Sequence, residues 1–189
     1  MIVHFDIDTQ LDFMAPAGAL YVPGAEAILP AVVRLNQAAP LVVSTMDAHA
    51  EADAEFEVWP PHCVKGTLGQ RKPAATLREP AVTVGTSPGL PDLAGARQIL
   101  LEKQQLDLFT NPNLPALLER LQASGFVVYG VVTEYCVRFA ALGLLATGKP
   151  VTLVTDSIQG LDERAAQETL DEFAACGGTL ATVSEVCGQ

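Results

Sequence analysis

The chain has 189 residues with 49% hydrophobic and 17% charged side chains, enough to build one sizeable core, and it reads as a single domain over 1–189. Its 11 Lys and Arg against 22 Asp and Glu leave a net charge of −11, and with no run of more than two adjacent basic residues it lacks the footprint of a nucleic-acid or anionic-membrane binder. The longest apolar stretch, Phe126 to Val132, is far short of a bilayer span, and the N-terminal run has no preceding Lys or Arg and contains Asp6 and Asp8, so neither a membrane helix nor a signal peptide is expected and the chain reads as cytoplasmic.

In chain order, short Val, Ile and Leu-rich runs predict six strands buried on both faces, at Ile2 to Asp8, Leu41 to Thr45, Gln98 to Leu101, Phe126 to Val132, Val151 to Thr155 and Thr179 to Val183. Stretches of helical period lie between several of them, at Ala25 to Ala38, Leu114 to Ala123, Thr133 to Ala146 and Glu163 to Ala175. Gly125, Gly148 with Pro150, and Gly177 with Gly178 supply the stops. Such alternation forces parallel pairing with right-handed crossovers, which gives an α/β fold: a three-layer α/β/α domain around a mostly parallel six-stranded sheet. The exception is the segment of about 47–89, rich in Pro, Ala and Glu, where only Ala81 to Val84 resembles a strand; long irregular insertions in compact domains are usually functional. Cys187 and Gln189 fall in an expected loose tail.

In an open α/β sheet, ligands bind beyond the carboxyl ends of the strands, which directs attention to Asp8 to Phe13, the segment from Asp47, Lys103, Thr133 to Cys136, and Asp156. After the second strand come Asp47 and His49, then Glu55, then Trp59-Pro60-Pro61-His62-Cys63, so two of the three histidines share one loop with carboxylates. Residues two apart in an extended segment project to one side, so Asp47 and His49 can grip one divalent ion that the loop brings to Glu55 and His62. Glu51, Asp53 and Glu57 are substitutes, and a merely solvated acidic loop is the competing reading. Cys63 reads as a small buried hydrophobe. None of the four cysteines is in CxxC spacing, and all are expected as thiols.

Cys136 falls at the expected first turn of a helix, where unpaired N–H groups and the helix dipole favour thiolate. Asp8 and Lys103 end two other strands, at the edge where Cys136 emerges, and supply the base and the cation a nucleophilic Cys requires. His4, Asp6 and Asp8 share one face by period two, so spacing leaves Asp6 and Asp8 as competing bases. Turn, rim or core roles for Asp8, Lys103 and Cys136 remain open at this level, as does a turn or cap role for Asp156.

These residues carry a resemblance. Asp8-Thr9-Gln10-Leu11-Asp12-Phe13, the Asp47-Ala48-His49 loop with Trp59 to Thr67, Lys103, and Gly130 to Val137 together resemble the isochorismatase-like cysteine hydrolases, within them most of all the nicotinamidases and pyrazinamidases. The resemblance runs along nearly the whole chain, with the motifs in family order. It implies a catalytic triad of Asp8, Lys103 and Cys136, choosing Asp8 over Asp6. It implies metal ligands Asp47, His49, Glu55 and His62, for zinc, with iron or manganese as other fits. It implies a cis peptide at Val131-Val132 beside the oxyanion, and Phe13, Trp59 and Phe109 around a small aromatic carboxamide substrate hydrolysed to its acid, a reaction of NAD salvage. Homo-oligomers are frequent in such a family, but no stripe in this sequence specifies one. The departure is Gln104 to Phe109, where the family's aromatic-Ser segment is missing, which leaves a different small amide or an isochorismate-type substrate as the alternative. A binding protein without turnover is the reading from another class.

Overall fold

The computed structural model describes residues 1–188 and shows a three-layer α/β/α domain around one all-parallel sheet. The strands are β1 (Ile2–Ile7), β2 (Val42–Asp47), β3 (Ala81–Val84), β4 (Gln98–Lys103), β5 (Gly125–Val131), β6 (Val151–Gln159) and β7 (Thr179–Ala181), in the order β3-β4-β2-β1-β5-β6-β7. The strand count is seven rather than six, because Ala81–Val84 inside the insertion pairs with β4 and becomes an edge.

The helices are α1 (Leu11–Met14), α2 (Leu29–Ala38), α3 (Leu114–Leu121), α4 (Arg138–Leu145), α5 (Glu163–Ala175) and α6 (Val183–Cys187). The expected helix from Ala25 divides at Pro30: the turn Ala25–Ile28 is 3-10, and proline, which lacks an N–H, sits in the first turn of α2. The expected helix from Thr133 opens with a π turn, Thr133–Val137, in which Val137 N–H donates to Val132 O at 3.1 Å. Cys187 closes α6 rather than lying in a loose tail; Gln189 lies outside the described residues. Asp156 is within β6 and its carboxylate accepts the Val183 N–H at 2.8 Å, so it caps α6. No helix among the described residues is long and apolar enough to cross a membrane.

Period two sorts side chains between the layers. Phe126 and Val128 of β5 enter one core with Val3, Phe5, Ile7, Leu117 and Leu144, while Val127, Tyr129 and Val131 enter the other with Val32 and Leu35. Each fully buried Leu, Ile or Phe contributes about 1.5–3 kcal/mol, which makes these two cores the main source of stability. β1 breaks the apolar expectation: its second face is His4 and Asp6, buried among Asn36, Ser44, Gln98 and Tyr129.

Register then places the site. Asp47 and Lys103 are paired at the carboxyl ends of β2 and β4, and Ile7 is paired with Gly130 near the ends of β1 and β5. Gly130 has φ 122°, and a Cβ there would enter the Ile7 backbone, so only glycine lets these two strands run so close. The insertion is held differently from the rest. Within 50–80 the only buried residues are His62, Cys63, Lys72 and Thr76, so directed polar bonds rather than apolar burial attach it.

Candidate active site

Asp8, Lys103 and Cys136 come from the ends of β1, β4 and β5 and meet at the carboxyl edge of the sheet. Lys103 Nζ lies 2.8 Å from Asp8 Oδ2 and 3.6 Å from Cys136 Sγ, and it also contacts Asp47 Oδ1 directly. Asp8 and Lys103 are each 1% exposed and Cys136 is 5% exposed. Asp8 stands in the left-handed region with φ 47°, a conformation uncommon outside glycine and found at functional sites. Thr45 fixes it from both sides, with its hydroxyl donating to Asp8 Oδ1 at 2.6 Å and accepting the Asp8 N–H at 3.1 Å. The Val131-Val132 peptide bond is cis, and both residues line the same cavity as Cys136.

The electrostatics follow from one ammonium held among two carboxylates and a thiol. Burial raises the Asp8 carboxyl above the ordinary range, Asp47 adding to this while Lys103 and Thr45 oppose it. Burial also raises the Cys136 thiol well above its usual value, with Lys103 pulling down and Asp8 and Asp47 pushing up. The expected thiolate-favouring helix start is therefore outweighed by desolvation, and the resting sulfur is protonated. For Lys103, burial acts to lower the ammonium, but Asp47, Asp8 and Cys136 more than offset it and the group stays charged. Asp47 is held below the ordinary carboxylate range, because Lys103 and the neighbouring imidazoles of His49 and His62 overcome its burial.

Beside this triad, Asp47, His49 and His62 offer ligand atoms that all lie within 4.8 Å of one another. His49 Nε2 and His62 Nε2 are 3.9 and 3.7 Å from Asp47 Oδ2. His62 Nδ1 is 2.8 Å from the Pro60 carbonyl, which can only accept, so Nδ1 carries the proton and Nε2 presents its lone pair. His49 Nδ1 faces Asp53 Oδ2 at 3.1 Å, and its sealed Nε2 has no hydrogen-bond partner in the fold. Two imidazole lone pairs and a carboxylate converging in this way, one of them otherwise orphaned, fit a divalent ion. Glu55 lines the cavity next to them but stands outside the compact group, and burial, then Asp47, raises its carboxyl.

The cavity over the triad has one polar end, Asp8, Asp47, Glu55, His62 and Cys136, and an apolar remainder. Phe13 and Trp59 line it as the motifs lead one to expect. Phe109 does not: its half-buried ring packs against α4 where a Cβ on Gly143 would stand, and Leu106 lines that wall instead. The resemblance sets Phe109 beside the substrate, but the 3-10 turn Leu108–Thr110 carries its ring away toward α4. The sequence reading also missed Leu20, Tyr21, Val22, Tyr135 and Leu161, which complete the lining. Tyr135 was findable from its place next to Cys136. Leu161 had no local signal, since Glu134 fixes it from a distance by accepting the Leu161 and Asp162 N–H groups at 2.8 and 2.9 Å.

Motif residues without an assigned chemical role turn out to be structural ties. Asp12 Oδ2 accepts the Cys63 N–H at 2.7 Å, holding the residue after His62, and a side chain at Gly69 would collide with the Asp12 carboxylate. Cys63 itself is buried in the second core at φ 45°, in keeping with its reading as a small hydrophobe.

The family model for the isochorismatase domain matches residues 3–185. The chain belongs to the isochorismatase family. It is 24% identical to the nicotinamidase of Escherichia coli strain K12, covering 95% of this chain and 93% of that protein. Among solved structures, the pyrazinamidase/nicotinamidase of Streptococcus mutans superposes with a TM-score of 0.81 at 24% identity, covering 96% of this chain and 100% of the other. The pyrazinamidase of Pyrococcus horikoshii in complex with zinc superposes with a TM-score of 0.77 at 28% identity, covering 95% and 98%.

Proposed function

We propose that this isochorismatase-family member is a nicotinamidase-like cysteine amidase, converting nicotinamide or a close aromatic carboxamide to the acid and ammonia. Family membership and end-to-end similarity to nicotinamidases make it a hydrolase of amide C–N bonds. The observation that carries the finer reading is the contact of Lys103 with Asp8, Asp47 and Cys136 at the polar end of an otherwise apolar cavity.

In this reading Asp8, its basicity raised by burial, takes the Cys136 thiol proton as the sulfur attacks the carboxamide carbon. Lys103 stabilises the developing thiolate, and the backbone N–H groups of Val132 and Cys136 receive the oxyanion. Asp8 returns the proton to the departing ammonia. A water then attacks the thioester with Asp8 again as base, releasing the acid and restoring the thiol. Phe13 and Trp59 hold the ring so that the amide stays over the sulfur. Asp47, His49 and His62 would hold a divalent metal, zinc by the donor set, which supplies a Lewis-acid anchor for a ring nitrogen and polarises water.

A different small neutral amide is the second reading, favoured by Leu106 in the wall that follows Lys103. The test is ammonia release from nicotinamide by the wild type, by chelated protein and by Cys136→Ala. Turnover lost in both treated samples is expected; turnover indifferent to both removes the proposal.

A further inference from the structure

The proposed chemistry leaves unused a second sealed ion pair, on the polar face of β1. Asp6 is 0% exposed and its carboxylate is fully engaged. Oδ1 accepts from the Thr9 hydroxyl at 2.7 Å, and Oδ2 accepts from Asn36 Nδ2 at 3.0 Å and Ser44 Oγ at 3.1 Å, with Lys72 Nζ 2.9 Å away. Lys72 is buried as well, and its ammonium also donates to Thr9 Oγ1 at 2.6 Å. Taking two charges out of water is costly, and such a pair is often replaceable by apolar residues without loss, so stability does not account for it.

Its placement does. Thr9 lies between Asp8 and Gln10, in the turn where Asp8 adopts its left-handed conformation. Lys72 ends the strap 69–72, whose Gly69, Gln70 and Arg71 carbonyls accept from Asp12 N, Gln10 Nε2 and Leu11 N at 3.0, 2.8 and 2.8 Å. The ammonium is thus the one side-chain link from that strap to the residue adjoining the base, in an insertion with almost no apolar anchorage of its own.

We propose that Lys72 is a positioning residue: through the Thr9 hydroxyl it locks the turn carrying Asp8 to the far end of the insertion, holding the base in line with Lys103 and Cys136. The kinetic part of the test rests on the amidase reading. Thr9→Val removes the link and leaves the Asp6 and Lys72 charges paired. It is expected to lower kcat on nicotinamide by about tenfold or more, as misplacement of a reacting group does, with KM changed less than about threefold. Thr9→Ser, which keeps the hydroxyl, recovers most of that loss. Asp6→Asn combined with Lys72→Met removes both charges at nearly constant volume; it is expected to melt close to the wild type and yet to show the Thr9→Val defect, and it decides the matter if Thr9→Val does not fold.

Alkylation of Cys136 by iodoacetamide, followed against pH by peptide mass mapping, needs no substrate. An altered profile in Thr9→Val is expected there too, so an inactive wild type would remove the amidase reading and still leave this proposal testable. Thr9→Val with wild-type kcat and alkylation profile, a double variant with wild-type values, or equal defects in Thr9→Val and Thr9→Ser would each overturn it.

Discussion

Gln10 is bonded to both sides of Asp47: its Oε1 accepts the Asp47 N–H at 2.7 Å and its Nε2 donates to the Asp47 carbonyl at 2.9 Å. One side chain thereby imitates a strand neighbour and joins the turn after β1 to the residue where Lys103 and the histidine group meet. Gln10→Leu keeps the volume but strands two buried backbone groups of Asp47 and releases the part-buried Gln70 carbonyl as well. Each unpaired group costs about 1–3 kcal/mol, so a loss of roughly 2–6 kcal/mol in urea unfolding is expected, together with reduced turnover. A variant as stable as the wild type would show that this bridge carries no load.

Asp53 lies outside the cavity lining but faces His49 Nδ1 at 3.1 Å. Partners of this sort orient a ligating imidazole and keep its second nitrogen available. Asp53→Asn should weaken zinc binding by about 10–100-fold in titration calorimetry while the fold is unchanged. Unaltered zinc affinity would mean that this carboxylate does not orient the ring.

Acid sensitivity should trace in part to His4. Burial, with Arg78 adding to it, lowers this imidazole from 6.5 to about 4, so the folded chain holds it neutral. The unfolded chain takes up the proton first as the pH falls, so this contribution is complete above about 6.5 and is lost between there and 4. Between pH 7 and pH 5 it amounts to about 2 kcal/mol. His4→Gln should lose that much less than the wild type over the same interval in urea melts; equal losses in the two proteins would place the sensitivity elsewhere.

The two aromatic walls should separate binding from stability. Trp59 is only half-buried and meets Tyr135 edge-on at 5.8 Å, whereas Phe13 is 5% exposed and belongs to the second core. Trp59→Ala is expected to raise KM about tenfold with little change in melting temperature. Phe13→Ala should raise KM and also cost about 3–5 kcal/mol. Thermal melts of the two variants beside their steady-state kinetics make the distinction.

Most of the sheet was legible because β2, β4, β5 and β6 are runs that only a doubly covered parallel strand explains. β6 extends past Thr155 to Gln159 through a bulge opposite β5, and polar residues after Thr155 hid that extension. Period two could not separate Asp6 from Asp8. What separates them is that the strand ends at Ile7, so Asp6 keeps to the sheet face with Lys72 while Asp8 turns toward Lys103. The histidine loop is readable from composition, but Phe109 rests on a resemblance, which says nothing of which way the 3-10 turn Leu108–Thr110 faces. Lys72 had no signal at all, being one of two lysines in an irregular segment, with its partner Asp6 sixty-six residues earlier.

The partners of Lys103 are supplied by β1, β2 and the segment after β5, so residues 8, 47, 103 and 136 gather only when the central strands have all paired. Such distant pairings close late and slowly in a parallel sheet. No fragment and no partly formed intermediate can therefore carry the thiol environment of the finished protein, and recovery of that environment during refolding is a clock for completion of the sheet's centre.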